Sequence, residues 1–175
     1  RNGAGGRSTN RHSSPYAEAC TIACPNSPLA TTSAAGAVEA CFSSAGQLCV
    51  SIERLYVPEE KYEEFKTAFV SRVEHLALGS ALDWDADIGS LVSQAQLETV
   101  TSHVKDAVAH GATVLTGGKG RPDLGPYFYE PTVLEGVTET AECFAGETFG
   151  PLVSLYPYKT TEEAVALANG GEYGL

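Results

Sequence analysis

The amino-acid sequence predicts an α/β fold with a mainly parallel sheet whose strands are joined by helical crossovers. Segments rich in β-branched residues alternate with segments that carry apolar residues at helical spacing, which is typical of such a sheet. A content of 43% hydrophobic and 19% charged residues is ordinary for a chain with a packed core. The length of 175 residues suffices for one domain. We therefore expect one folded unit without internal repeats.

The first part of the chain differs from the rest. Residues 1–33 are rich in Gly, Ser, Thr, Asn and Pro, and their only large aliphatic side chains are Ile22 and Leu29. They show neither a helical nor a strand period. They can also bury only a little apolar surface, which offsets poorly the conformational entropy lost when a chain becomes ordered. We predict an irregular lead-in over residues 1–33 and the folded unit over residues 34–175.

The first half of the folded unit reads as helix, strand, helix. Small and apolar residues at helical spacing predict a helix over residues 33–47, with a stop at Gly46. The alternating, β-branched run Cys49–Val57 predicts a strand. After Pro58, one face of an amphipathic helix carries Tyr62, Phe65, Phe69, Val73 and Leu76.

The second half continues the alternation. A turn-rich link leads to an amphipathic helix over residues 93–112 that ends at Gly111. Three strands are predicted within residues 112–118, 126–137 and 151–159. The last helix begins with a threonine N-cap in the sequence TTEEAVALANGG and has acidic residues in its first turn.

Composition excludes several classes of function. A formal net charge of −11 argues against a basic surface for nucleic acid. No apolar run has the length of a membrane span, and the N-terminus lacks the apolar core of a signal peptide. Five cysteines without a regular framework favour a reduced, cytoplasmic protein over a disulfide scaffold.

The stretch FSSAGQLCVSIER places Cys49 directly after a Gly-Gln turn. A cysteine becomes a nucleophile when its thiolate is accessible, and backbone N–H groups in a turn can hold a developing oxyanion. A packed cysteine at the start of a strand is the alternative. This stretch alone leaves both interpretations open.

A second stretch, GETFGPLVSLY, places Glu147 and Phe149 before a Gly-Pro turn. Alternate residues of an extended segment point the same way, so the carboxylate and the ring would share one face. That pair suits a ligand with a polar sugar and a flat ring. A surface glutamate beside a core phenylalanine is the alternative.

Four motifs in order resemble the aldehyde dehydrogenase superfamily. They are FSSAGQLC with an arginine after it (Arg54), GPYFYEPTVLEGV, ETFGP and ANGGEYGL. The resemblance covers about Ala34–Leu175, and within the superfamily CFSSAGQLCVSIERLYV and RPDLGPYFYEPT are most similar to bacterial succinate-semialdehyde dehydrogenases. It implies the catalytic domain of that family, incomplete at both ends.

The resemblance also implies roles for individual residues. Cys49 would attack an aldehyde, and the thiohemiacetal would give a hydride to NAD or NADP before the thioester is hydrolysed. Glu147 would bind the nicotinamide ribose, and Phe149 would pack near the nicotinamide. Leu48 and Val50 would line the pocket for this small-molecule substrate. Assembly into a homo-oligomer stays open.

One family motif has no counterpart. The family carries a Glu-Leu-Gly-Gly-Lys segment upstream of the cysteine, and its glutamate is the general base. The corresponding position here falls at Pro15, and nothing around the nearest acid, Glu18, resembles the motif. General acid–base help is worth about 10²–10⁴ in rate. We therefore expect little turnover from this chain.

Two other classes remain open. The chain could be an inactive scaffold or a partner of a full-length homologue, with an unreactive Cys49. A metal-binding module could use His12, Cys20 and Cys24, although structural zinc needs a fourth ligand. We predict no other metal site. The remaining cysteines and histidines are expected to be packed, solvated or capping: Cys41, Cys143, His75, His103 and His110.

Overall fold

The computed structural model describes residues 30–80, 85–170 and 173 of the chain. Most of the predicted lead-in lies outside the described residues, and so do His12, Cys20 and Cys24. No helix among the described residues is both long and apolar enough to cross a membrane.

Among the described residues, four strands form one sheet. They are β1 (Arg54–Pro58), β2 (Thr113–Thr116), β3 (Thr132–Glu135) and β4 (Leu152–Tyr158), arranged in the order β1-β4-β3-β2. The central strand β4 runs parallel to both β1 and β3, whereas β2 pairs antiparallel with β3. The predicted α/β fold with a mainly parallel sheet is confirmed for the described part of the chain.

Five α-helices accompany the sheet in the described part of the chain. They are α1 (Ala30–Phe42), α2 (Tyr62–Glu74), α3 (Gln94–Ala109), α4 (Glu142–Ala145) and α5 (Thr161–Ala168). Helix α3 ends close to the predicted stop at Gly111. The predicted threonine cap of α5 is Thr160, whose side chain accepts a hydrogen bond from the N–H of Glu163. Such a cap satisfies one of the free N–H groups of the first turn.

Helices α1 and α2 pack together through aromatic side chains. The apolar face predicted for α2 is buried at Tyr62, Phe65, Phe69 and Val73. Phe69 stacks on Phe65 at 5.5 Å between ring centroids and on Phe42 at 6.3 Å. Phe42 is the last residue of α1, so this packing fixes the point from which the chain enters the Cys49 turn.

Two predicted strands are shorter than expected. The strand predicted over Cys49–Val57 begins only at Arg54, because the chain before it turns: the N–H of Ser51 donates to the carbonyl of Leu48 at 2.9 Å. The strand predicted within residues 126–137 is regular only over β3, preceded by an isolated bridge at Tyr129. The prolines of that segment cannot donate to a ladder.

The parallel pairing of β1 with β4 brings two distant loops together. Arg54 at the start of β1 faces Ser154 near the start of β4, and the Ser154 N–H donates to the carbonyl of Glu53 at 2.9 Å. Parallel neighbours begin at the same edge of a sheet. The turn with Cys49 precedes β1 and the loop with Glu147 precedes β4, so both lie at that edge.

Candidate active site

A left-handed turn precedes Cys49. Ser44, Ala45 and Gly46 have φ angles of 53°, 58° and 69°. A left-handed conformation costs a residue with a Cβ about 1–2 kcal/mol, whereas glycine adopts it freely. At Gly46 a Cβ would also lie 2.2 Å from the carbonyl oxygen of Gly150. The absence of that atom lets the Cys49 turn lie directly against the backbone that follows Phe149.

Gln47 ties this turn to the segment before α3. Its Nε2 donates to the carbonyls of Ser44 at 3.2 Å and Ser90 at 3.4 Å. Its Oε1 accepts from the N–H of Val92 at 2.8 Å. Three hydrogen bonds to backbone groups on both sides make Gln47 a brace for the turn.

Cys49 is the exposed thiol among the described cysteines. It is free and exposed, whereas Cys41 and Cys143 are free and buried. Burial raises the pKa of Cys143 to about 11 and raises the pKa of Cys41 further. The thiolate is the nucleophilic form of cysteine, so burial keeps both of these thiols unreactive. The packed role expected for them agrees with this placement.

Exposed apolar side chains flank the thiol. Leu48 is 39% and Val50 is 66% exposed, on either side of Cys49 in the same turn. Val92, whose N–H binds Gln47, is 78% exposed. Together they leave apolar surface beside the Cys49 thiol, and apolar linings are common in pockets for small organic ligands.

The loop Glu147–Gly150, called here the nicotinamide loop after the role implied for it, is bonded from two sides. The Glu53 carboxylate accepts from the N–H groups of Thr148 at 2.9 Å and Phe149 at 2.8 Å. The Gln96 amide on α3 donates to the carbonyls of the same two residues at 2.7 and 2.8 Å. Glu147 itself is exposed, and Phe149 is half-buried.

The loop is not the regular extended segment that the sequence suggested. Phe149 has a φ of 51°, so the alternation that would place it on the same face as Glu147 does not apply. The bonds from Glu53 and Gln96 on both sides of the peptide hold a conformation that a phenylalanine rarely adopts. The tertiary contacts thus override the local preference.

Glu53 is a half-buried carboxylate, and its pKa lies above the ordinary value of 4.5. Burial is the largest cause, because it disfavours the charged form, and the nearby charge of Glu147 acts in the same direction. The N–H groups of Thr148 and Phe149 oppose the rise by stabilising the carboxylate.

His103 on α3 also contacts the loop, which corrects its expected solvated or capping role. Its Nδ1 lies 3.0 Å from the hydroxyl of Thr148, a residue only 2% exposed. Burial lowers the pKa of His103, against the opposing charges of Glu142 and Asp106. Burial dominates, so at pH 7 the ring is neutral. The 3.9 Å approach of Nε2 to Glu142 is then not an ion pair.

A pH dependence follows from His103. Its folded pKa lies below the ordinary value of 6.5, so the unfolded chain binds more protons between these two values. The free energy of unfolding should therefore fall as the pH drops from 6.5 through the lowered pKa. Urea unfolding of the wild type and of His103→Asn at a series of pH values measures this. The difference in stability between the two should shrink across that window, and a constant difference would contradict the assignment.

The two predicted site segments contact each other through backbone atoms, and the side chains of three other residues contact the nicotinamide loop. The structure brings the Cys49 turn against the nicotinamide loop at Gly46 and Gly150. Sequence analysis missed Glu53, Gln96 and His103. Only Glu53 left a signal, as a charged residue immediately before a buried strand. Within the described residues no cluster of three metal-ligating side chains occurs.

The family comparison matches most of the chain. The model of the aldehyde dehydrogenase family matches residues 24–175. A Mycobacterium tuberculosis protein, named provisionally as an NADP(+)-dependent succinate-semialdehyde dehydrogenase, is 56% identical over 142 residues. A succinate-semialdehyde dehydrogenase [NADP(+)] of Schizosaccharomyces pombe is 40% identical over 134 residues. These alignments cover 81% and 77% of this chain but 27% of each relative, so the chain spans about a quarter of their length.

Solved structures agree with the sequence comparison. The succinate-semialdehyde dehydrogenase of Burkholderia pseudomallei superposes with a TM-score of 0.82 at 35% identity, over 89% of this chain and 32% of that one. Betaine aldehyde dehydrogenase of Staphylococcus aureus, solved with NAD+, gives a TM-score of 0.79 at 32% identity, over 83% of this chain and 30% of that one. The resemblance inferred from four motifs is confirmed.

Proposed function

The chain belongs to the aldehyde dehydrogenase family, and from that premise we propose that it carries the nucleophile and part of the nicotinamide site of an NAD(P)-dependent aldehyde dehydrogenase. The observation that carries this proposal is the exposed thiol of Cys49 on a turn whose backbone touches the nicotinamide loop. A nucleophile and a dinucleotide site must be adjacent for aldehyde oxidation, and two loops at one sheet edge satisfy that need.

Cys49 supplies the covalent chemistry. Its thiolate adds to the aldehyde carbon, forming a C–S bond and a tetrahedral oxyanion that N–H groups of the turn can stabilise. Glu147 and Phe149 would hold NAD or NADP, which would supply the acceptor for a hydride from that carbon. That transfer would leave Cys49 as a thioester. Its hydrolysis by water would give the carboxylic acid and the free thiol, and this is the step for which the sequence has no counterpart of the family's general base. Buried Cys41 and Cys143 cannot take this role.

The residues of the nicotinamide loop fit a dinucleotide. The exposed carboxylate of Glu147 offers two acceptor oxygens, which suit the two hydroxyl groups of a ribose. Phe149, two residues further along the chain, provides a half-buried ring. We propose NAD or NADP as the cofactor, since relatives named for NADP(+) and a neighbour solved with NAD+ both match this chain.

The substrate we propose is a small aldehyde, with succinate semialdehyde as the specific candidate. Leu48 and Val50 offer exposed apolar surface on both sides of Cys49 for its hydrocarbon part. The names of the mycobacterial, yeast and Burkholderia relatives support the specific candidate. Free Cys41, Cys49 and Cys143 support a reducing, cytoplasmic setting, which we also propose.

Alkylation of the purified chain at neutral pH tests the proposal. We expect iodoacetamide to modify Cys49 at least about 100-fold faster than Cys143, because a pKa near 11 leaves little thiolate at neutral pH. Mass spectrometry of the peptides measures each site separately, and addition of NAD should change the rate at Cys49. The Cys49→Ser variant controls for background labelling. Slow labelling that is equal at all cysteines would favour an inactive scaffold.

A further inference from the structure

We propose that Glu53 is a positioning residue for the cofactor: its carboxylate fixes the nicotinamide loop, and its backbone joins that loop to the strand that follows the Cys49 turn. The inference rests on the proposed function, because it concerns the same nicotinamide site. Glu53 touches neither a substrate nor a cofactor, and it acts through Thr148 and Phe149.

The first support is the geometry of the carboxylate. Oε2 lies 2.9 Å from the N–H nitrogen of Thr148, and Oε1 lies 2.8 Å from that of Phe149 and 3.1 Å from that of Thr148. Two successive N–H groups that face one anion form a nest-like concavity. Hydrogen bonds to an ionised acceptor are about twice as strong as those between neutral groups.

The second support is the place of Glu53 in the sheet. Its carbonyl accepts from the N–H of Ser154 in β4 at 2.9 Å, so its backbone belongs to the pairing of β1 with β4. The side chain therefore extends from a fixed point. A shift of the Cys49 turn and a shift of the nicotinamide loop are then coupled through one residue, which stands a few positions after the nucleophile.

The third support is that the remaining polar groups of the two loop residues already have partners. Gln96 donates to both carbonyls, and His103 contacts the Thr148 hydroxyl. Without Glu53 the N–H of buried Thr148 would lose its acceptor. The backbone of Phe149 would then leave its left-handed conformation, and the loop that carries Glu147 would no longer be held in one position.

The Glu53 side chain places a charge in a half-buried position, which costs free energy unless the charge is compensated. A neutral polar residue would not carry this cost. The charge of nearby Glu147 is negative as well and acts against ionisation of Glu53, whereas the N–H groups of Thr148 and Phe149 favour it. The carboxylate is thus stabilised mainly by the two N–H groups that it binds. This arrangement favours a role for Glu53 in holding the nicotinamide loop in one conformation.

Amide hydrogen exchange in the complete chain tests the first half of the inference. In Glu53→Gln, one of the two N–H groups meets an amide NH₂ in place of an oxygen. We expect exchange at Thr148 or Phe149 to accelerate about 10- to 100-fold relative to Val153 in the core strand. The exposed Glu139→Gln is the matched control and should change neither rate. An unchanged ratio in Glu53→Gln would overturn the inference.

Cys49 alkylation tests the second half with a readout that a general loss of stability would not reproduce. In Glu53→Gln the rate without NAD should stay within about twofold of the wild type, since Cys49 is already exposed, while the effect of NAD should disappear. A retained NAD effect would contradict a positioning role. If Glu53→Gln does not fold, the exchange ratio in Glu53→Asp decides, where a rise supports the inference and no rise overturns it.

The two proposals can fail separately. A wild-type chain in which NAD has no effect on Cys49 counts against the proposed function, while the exchange ratio still decides whether Glu53 holds the loop. An unchanged ratio together with selective, NAD-sensitive Cys49 counts against Glu53 alone.

Discussion

Alanine at Gly46 is expected to lower the free energy of unfolding by about 2–5 kcal/mol. The new Cβ would adopt a left-handed conformation at a φ of 69° and would lie 2.2 Å from the carbonyl oxygen of Gly150. The atoms that the Cβ would meet belong to the backbone of Gly150 and Pro151, so they cannot move aside as a flexible side chain could. Urea unfolding followed by circular dichroism measures the change.

The chain offers a matched control for this substitution. Gly36 lies in α1, and a Cβ at Gly36 meets no atom within 4 Å. Gly36→Ala should raise the free energy of unfolding by about 0.5–1 kcal/mol, because alanine has the higher helix propensity. If Gly46→Ala were as stable as Gly36→Ala, the close contact between the Cys49 turn and the nicotinamide loop would be wrong.

The second large effect is expected at Phe42. Phe42→Ala should cost about 3–5 kcal/mol, the usual range for deleting a buried aromatic ring. Phe42 is 2% exposed and stacks on Phe69, which anchors the end of α1 just before the left-handed turn. Equilibrium unfolding in urea gives the loss, and the midpoint should shift without a large change in slope.

Two further variants provide reference values for the loss of stability in Phe42→Ala. Phe42→Leu leaves a smaller cavity and should lose less than Phe42→Ala. Val92→Ala removes methyl groups from a side chain that is 78% exposed and should stay within about 0.5 kcal/mol of the wild type. A loss at Phe42→Ala no larger than that of Val92→Ala would contradict the packing of α1 on α2.

Four residues of the stretch FSSAGQLC each have a physical role in this fold. Phe42 anchors α1 in the core, and Gly46 allows contact with Gly150. Gln47 braces the turn by binding backbone groups near α3. Cys49 then stands exposed beyond the braced turn. Phe42, Gly46 and Gln47 thus hold the turn in a conformation that leaves the thiol of Cys49 exposed at the surface.

The sequence by itself determined whatever depends on near neighbours in the chain. The apolar face of α2 follows from helical spacing, and the Thr160 cap follows from a hydroxyl before a helix. The roles of Cys49 and Glu147 are predictions from motifs, since short patterns record which residue types the chemistry needs. For the same reason, the family and the mainly parallel sheet could be predicted and are confirmed.

Only the tertiary structure decided the features that depend on distant partners. Thr148 is 95 residues from Glu53, and it is 52 residues from Gln96. No local pattern predicts that a carboxylate before β1 and an amide on α3 hold the same peptide. Nor could a local pattern show that Phe149 has a left-handed backbone conformation, or that the chain turns at Cys49 and Val50 where alternation predicted a strand. Local preferences differ by about 1 kcal/mol per residue, and several tertiary hydrogen bonds acting together exceed them.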